Sequence, residues 1–176
     1  MKLKNVMLAS TAAIVCTIGA TAQAAPKGFE SCLAEPIAQF DGTVVDAALA
    51  TPELSTLVDA VVAAGLVDAL NDAENITVYA PTNDAFAAIP GDILGAIVGD
   101  EALLQATLLY HVTPKTNDPR SFVPPVRRST LLGEQKVYYS YFDGAPRVNN
   151  AAVNCSGVKV SNGIVWIVDS VLLPAL

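Results

Sequence analysis

The apolar residues of this chain change their period along its length, and that change restricts the fold more than any other feature. Over residues 41–71, Val44, Val45, Ala48 and Leu49 recur at helical spacing, as do Leu54, Leu57, Val58, Val61 and Val62. Thr51 before Pro52-Glu53 reads as an N-cap with proline at the first helical position, and Gly65 and Asn71 read as stops. Two or three short helices are expected there. Ile76 to Ala80 is predicted to be a half-buried strand, with Ile76, Val78 and Ala80 alternating against Thr77 and Tyr79. Asp92 to Val98 and Glu101 to Leu108 follow as helices, and Leu109 to Val112 as an extended segment. Residues 113–128 hold four prolines and read as a loop or irregular edge. Beyond them the pattern alternates. Val137 to Phe142, Arg147 to Val153, Val158 to Val160 and Ile164 to Val168 are predicted strands, with turns at Asp143-Gly144 and Asn162-Gly163. Helices first and strands later predict an α+β domain.

Residues 1–24 are set aside as a signal peptide. Lys2 and Lys4 open it, an apolar stretch runs from Val6 to about Ala20, and Ala22-Gln23-Ala24 has the small-x-small form of a cleavage site. That apolar run is too short for a spanning helix. Export is therefore expected, with the product secreted or periplasmic. The mature chain keeps eight of ten basic residues and all seventeen acidic ones, a formal charge of −9. Such a sign argues against nucleic acid or anionic lipid as the main partner. After the signal no apolar segment is long enough to span a bilayer, so a soluble acidic protein is expected. Cys32 and Cys155 are the two cysteines left after cleavage, and in an exported protein two distant cysteines usually pair. The bridge would tie the extension 25–37 to the C-terminal part of the fold.

Chemistry has little purchase in this sequence. His111 is the only histidine, no cluster of zinc or calcium ligands accompanies it, and no Gly-x-Ser-x-Gly elbow presents a serine in the mature chain. No phosphate loop or Gly-x-Gly-x-x-Gly run is present. Neither a catalytic residue nor a metal or other cofactor is expected. Tyr110-His111, flanked by Leu108-Leu109 and Val112, reads as a partly buried pair that hydrogen-bonds a neighbour. Thr82 reads as a cap for the next helix, Asp84 as a favourable charge in its first turn, and Phe86 as a staple back to Pro81. Asn83 is expected to hydrogen-bond His111. The stretch VYYSYF places Tyr139 and Tyr141 on one face of a strand and Tyr138 and Phe142 on the other. Cross-strand packing explains one pair. The other, exposed beside Arg120, Arg127 and Arg128, would make a docking surface for a partner or an apolar ligand.

Three blocks together resemble one family. ITVYAPTNDAFAAIP resembles the first hallmark motif of fasciclin domains, LLYHVTP their central Tyr-His motif, and GVKVSNGIVWIVDSVLLP the second hallmark with its Asn162-Gly163 turn. PELSTLVDAVVAAGLVDALN resembles the helical lead-in, and the order and spacing agree over residues 38–176. The pattern is similar to secreted single-domain bacterial members, which likewise carry a cysteine just before the last strands. The resemblance implies a wedge of short helices packed on a folded-over sheet or small sandwich. It also implies a non-enzymatic adhesion role, with a protein or polysaccharide partner at a cell surface or matrix. In animal members integrin binding is assigned to motifs that include the one matched by Tyr110 and His111. A second expectation is a carrier of a small apolar ligand such as a carotenoid, as in some algal members.

Overall fold

The computed structural model describes residues 29–121 and 126–175. The expected signal peptide, residues 1–24, lies outside them. The described chain runs α1 (Phe29–Ala34), β1 (Ala38–Gln39), α2 (Val44–Leu49), a 3-10 turn (Pro52–Leu54), α3 (Ser55–Ala63), α4 (Val67–Asp72), β2 (Ile76–Pro81), α5 (Asn83–Ala87), α6 (Gly91–Gly99) and α7 (Glu101–Tyr110). Strands then dominate: β3 (Val112–Pro114), β4 (Val126–Ser129), β5 (Lys136–Phe142), β6 (Ala145–Val148), β7 (Ala151–Val160) and β8 (Gly163–Val168). The α+β class expected from the sequence is what the structure shows.

The strands hydrogen-bond in the order β3-β2-β8-β7-β6-β5-β4, with β1 parallel to the far half of β7. β2 and β8 are parallel and the remaining pairs on this path are antiparallel. The ten residues of β7 reach both halves, pairing with β6 at one end and β8 at the other. The path bends back on itself until the Leu131 N–H donates to the Val112 carbonyl at 2.8 Å, which nearly closes the sheet.

Two cores result. One lies between helices and sheet, around Val44, Leu57, Leu70, Ala80, Leu108 and Val165. The other fills the interior of the folded sheet, around Tyr79, Val137, Tyr139, Val148, Trp166 and Leu172. β2 and β8 separate them and are covered on both sides. That is why β2 departs from the expected half-buried pattern: Thr77 and Tyr79 face the second core and are fully buried. A parallel pair between two packed layers has no solvent face.

Other local expectations are corrected by tertiary contacts. Leu109 and Tyr110 are helical, and extension starts only at Val112. The expected strand from Arg147 to Val153 is broken by a turn at Asn149-Asn150, with Asn149 at φ 54°. Val158 to Val160 is the end of β7 and no separate strand. Thr51 makes no capping bond; its hydroxyl donates back to the Ala47 carbonyl at 2.8 Å. Parts of the proline-rich segment 113–128 are regular, since β3 runs to Pro114 and β4 starts at Val126. Between them Asn117, Pro119 and Arg120 turn inward and are buried.

Candidate functional site

The motif residues act first as ties between elements. Thr82 accepts from the Ala85 N–H at 3.2 Å and so caps α5, as its hydroxyl predicts. Phe86 and Pro81 line the same cavity. Asn83 does not meet His111. Its Oδ1 accepts from the Thr56 N–H at 2.9 Å and its Nδ2 donates to the Pro52 carbonyl at 3.1 Å. α3 has no capping side chain of its own, so Asn83 supplies the cap from the next layer of sequence.

Asn162 does the same at the opposite end of the sheet. Its Oδ1 accepts from the Val44 N–H at 3.0 Å, at the start of α2. Its Nδ2 donates to the Leu70 and Ala73 carbonyls, at 2.8 and 3.1 Å, at the end of α4. One amide thus satisfies an orphan donor of one helix and orphan acceptors of another. Gly163 is required for a different reason than turn geometry. A Cβ there would lie 2.1 Å from the Ile76 carbonyl oxygen on β2, so only glycine lets these strands close.

Tyr110 and His111 sit at the end of α7 and point into different cores. The Tyr110 hydroxyl donates to the Lys136 carbonyl and accepts from Asn149 Nδ2, both at 3.0 Å. His111 is buried. Its Nε2 accepts from the Leu172 N–H at 2.9 Å, so the ring proton is on Nδ1, which donates to the Thr107 carbonyl at 2.8 Å. Burial among apolar groups lowers its pKa to about 4, against the opposing effect of the Thr107 bond, and the ring is neutral at pH 7.

The aromatic strand divides as its alternation requires. Tyr139 is buried, stacked edge-on against Tyr79 at 6.2 Å between centroids and hydrogen-bonded to its hydroxyl. Desolvation raises the pKa of both phenols. Tyr141 is half-buried on the same inner side. Tyr138 and Phe142 face outward, 52% and 66% exposed. Arg127 lies opposite Tyr138 in register on β4 and is exposed. Arg128 points inward, donating to Asn117 Oδ1 at 3.0 Å. Arg147, which the sequence did not single out, has its guanidinium 5.4 Å from the centroid of the Phe142 ring.

Arg120 is not at the surface. Its guanidinium pairs with Asp118 at 2.9 Å, lies 4.8 Å from the Trp166 ring centroid, and donates to the carbonyls of Cys32, Glu35 and Cys155. Cys32 and Cys155 themselves form a disulfide, with Cα atoms 5.0 Å apart. No signal in the local pattern distinguishes the buried Arg120 from the exposed Arg127 that follows it. Among the described residues no group of three or more His, Cys, Asp or Glu could hold a metal ion, and no single helix is long and apolar enough to cross a membrane. An apolar cavity of about 270 Å³ lies between α3, α6 and α7, lined by Ala60, Phe86, Leu94, Ile97, Leu104 and His111 among others.

Helices bolted to a nearly closed sheet by two motif asparagines define a structural scaffold of a specific kind. The chain belongs to the fasciclin-domain family, whose model matches residues 52–174. It is 38% identical over 136 residues to Protein sll1483 of Synechocystis, covering 76% of this chain and 74% of that one. It is 37% identical over 136 residues to immunogenic protein MPB70 of Mycobacterium bovis, covering 74% and 68%. It is 36% identical to the cell surface glycolipoprotein MPB83 of the same species, covering 74% of this chain and 60% of that one. A solved FAS1 domain pair from the insect cell adhesion molecule fasciclin I has the same fold, with a TM-score of 0.63 at 17% identity. The match covers 75% of this chain and 51% of the insect chain, so the chain spans about half of that pair.

Proposed function

We propose that this chain is an exported, non-enzymatic module that docks onto a protein or polysaccharide at a cell surface or matrix. The observation that carries this reading is the outer face of β4, β5 and β6, where Tyr138 and Phe142 stand exposed beside Arg127 and Arg147. Large aromatic rings left in water next to guanidinium groups are typical of recognition surfaces. The names of the relatives, a surface glycolipoprotein and an adhesion molecule among them, support the same setting. His111 supports a non-enzymatic role, because both ring nitrogens are committed to the backbone and the ring is sealed from solvent.

A second reading, a carrier of an apolar ligand such as a carotenoid, is favoured by the 270 Å³ apolar cavity beside α6 rather than by the tyrosines. One experiment weighs both. The mature protein is incubated with cell-envelope fractions and, separately, with solubilised carotenoid. Sedimentation with the envelope that is lost in Tyr138→Ala with Phe142→Ala supports docking. A visible absorbance band that survives gel filtration supports the carrier instead. Protein that remains wholly in the supernatant would overturn the docking reading.

A further inference from the structure

Charge is divided unevenly between the two halves of the fold. Residues 38–111, which supply α2 to α7, contain eleven acidic residues and no lysine or arginine. Residues 112–176, which supply β3 to β8, contain seven basic residues and four acidic ones. Of these seven, Arg127, Lys136 and Arg147 lie on the outer face of β4, β5 and β6, whereas Arg120 is buried and Arg128 points inward. Alternation along β5 puts Lys136, Tyr138 and Phe142 outward while Val137 and Tyr139 enter the core. Across the ladder Arg127 opposes Tyr138, and Arg147 opposes Ser140 with its guanidinium over Phe142. Between residues 126 and 160 the acidic residues are Glu134 and Asp143, both in turns at the two ends of β5.

Tyr138 and Phe142 are four residues apart, about 13 Å along a strand. Each has an arginine beside it: Arg127 is exposed, and Arg147 is half-buried, with one Nη donating to the Asn150 carbonyl at 2.7 Å and the other Nη left for a ligand. The face therefore carries two units, each an exposed ring with a guanidinium near it, spaced along the outer side of β5. We propose that it binds a linear carboxylated polysaccharide, an inference that rests on the docking reading above. The C–H face of a sugar ring lies against an aromatic ring, and a guanidinium takes a carboxylate through two parallel hydrogen bonds. A polymer that offers ring and carboxylate at each repeat meets both units at once, and the gain is multiplied by the second contact. The acidic helical half repels such a chain and confines it to the sheet face.

The test uses the mature protein with polygalacturonate, with neutral dextran as the control, at 20 and 300 mM NaCl, between which the Debye length shrinks about fourfold. Binding to polygalacturonate is expected at low salt, weakened at high salt, with none to dextran. Arg127→Ala and Tyr138→Ala, both at exposed positions, are each expected to weaken it about tenfold, the loss of one of two units. Asp68→Asn on the exposed side of α4 should leave it unchanged or tighten it. Absence of binding to polygalacturonate, or equal binding by Arg127→Ala and Tyr138→Ala, overturns the inference. If those variants still lose envelope binding, the docking reading survives with a different partner. Concentration-dependent self-association abolished by Arg127→Ala would make a second copy the occupant and likewise overturn it.

Discussion

His111 shows how one side chain links packing to pH. Its Nε2 holds the Leu172 N–H and its Nδ1 proton holds the Thr107 carbonyl, so the neutral ring is the form that fits. The folded chain resists protonation until about pH 4, whereas an unfolded histidine takes its proton near 6.5. Above pH 6.5 neither state is protonated and the residue contributes no pH dependence. Between 6.5 and 4 the unfolded chain binds a proton that the folded chain refuses, and stability falls as pH falls. The expected loss from this residue is about 2 kcal/mol between pH 7 and pH 5. Urea unfolding at both pH values measures it, and His111→Gln, which keeps an acceptor without a titration, should flatten the slope. An unchanged slope in that variant would remove His111 as its source. The sequence indicated a ring with a partner here. Which partner it has depends on residue 172 folding back beneath α7, and no local pattern contains that.

At the level of elements, the helices are short and several lack caps of their own. α3 begins at Leu54-Ser55 with no local side-chain acceptor, and Asn83 supplies it from the start of α5. Removing a helix cap typically costs about 1–2 kcal/mol. Asn83→Ala is expected to lose that much in equilibrium unfolding, with amide exchange rising first in the initial turn of α3. Protection that falls evenly over all elements would contradict this placement. α2 behaves differently, because Thr43 forms a capping box with Asp46 and also receives help from Asn162. Helix existence was legible from apolar spacing, and α3, α6 and α7 fall close to where that spacing puts them. Strand burial was less legible. Thr77 and Tyr79 look like the wet side of a half-buried strand, yet the second core covers them. Asn149 at φ 54° breaks one expected strand in two, a position that asparagine tolerates and that the flanking alternation conceals.

Across the whole molecule, the N-terminal segment is fastened twice. The Cys32–Cys155 disulfide spans a sequence separation of 123 residues, and Arg120 donates to the carbonyls of both cysteines. Closing a loop of that length contributes about 4–5 kcal/mol in the chain-entropy account. Cys32→Ser with Cys155→Ser should lower unfolding stability by several kcal/mol, about 2–5, while native circular dichroism persists at 25 °C because the Arg120 contacts remain. Loss of the native spectrum on reduction alone would show that the guanidinium does not hold the segment. The sequence by itself determined the α+β class, the helix-to-strand order, the cysteine pairing and the family, because period, turn residues and motif spacing are local properties. Only the tertiary structure decided that β2 is covered on both faces, that Arg120 is buried while Arg127 is exposed, and that Asn83 and Asn162 cap distant helices. Those outcomes depend on which surfaces meet after the sheet folds over, and burial and long-range hydrogen bonds exist only once that contact is made.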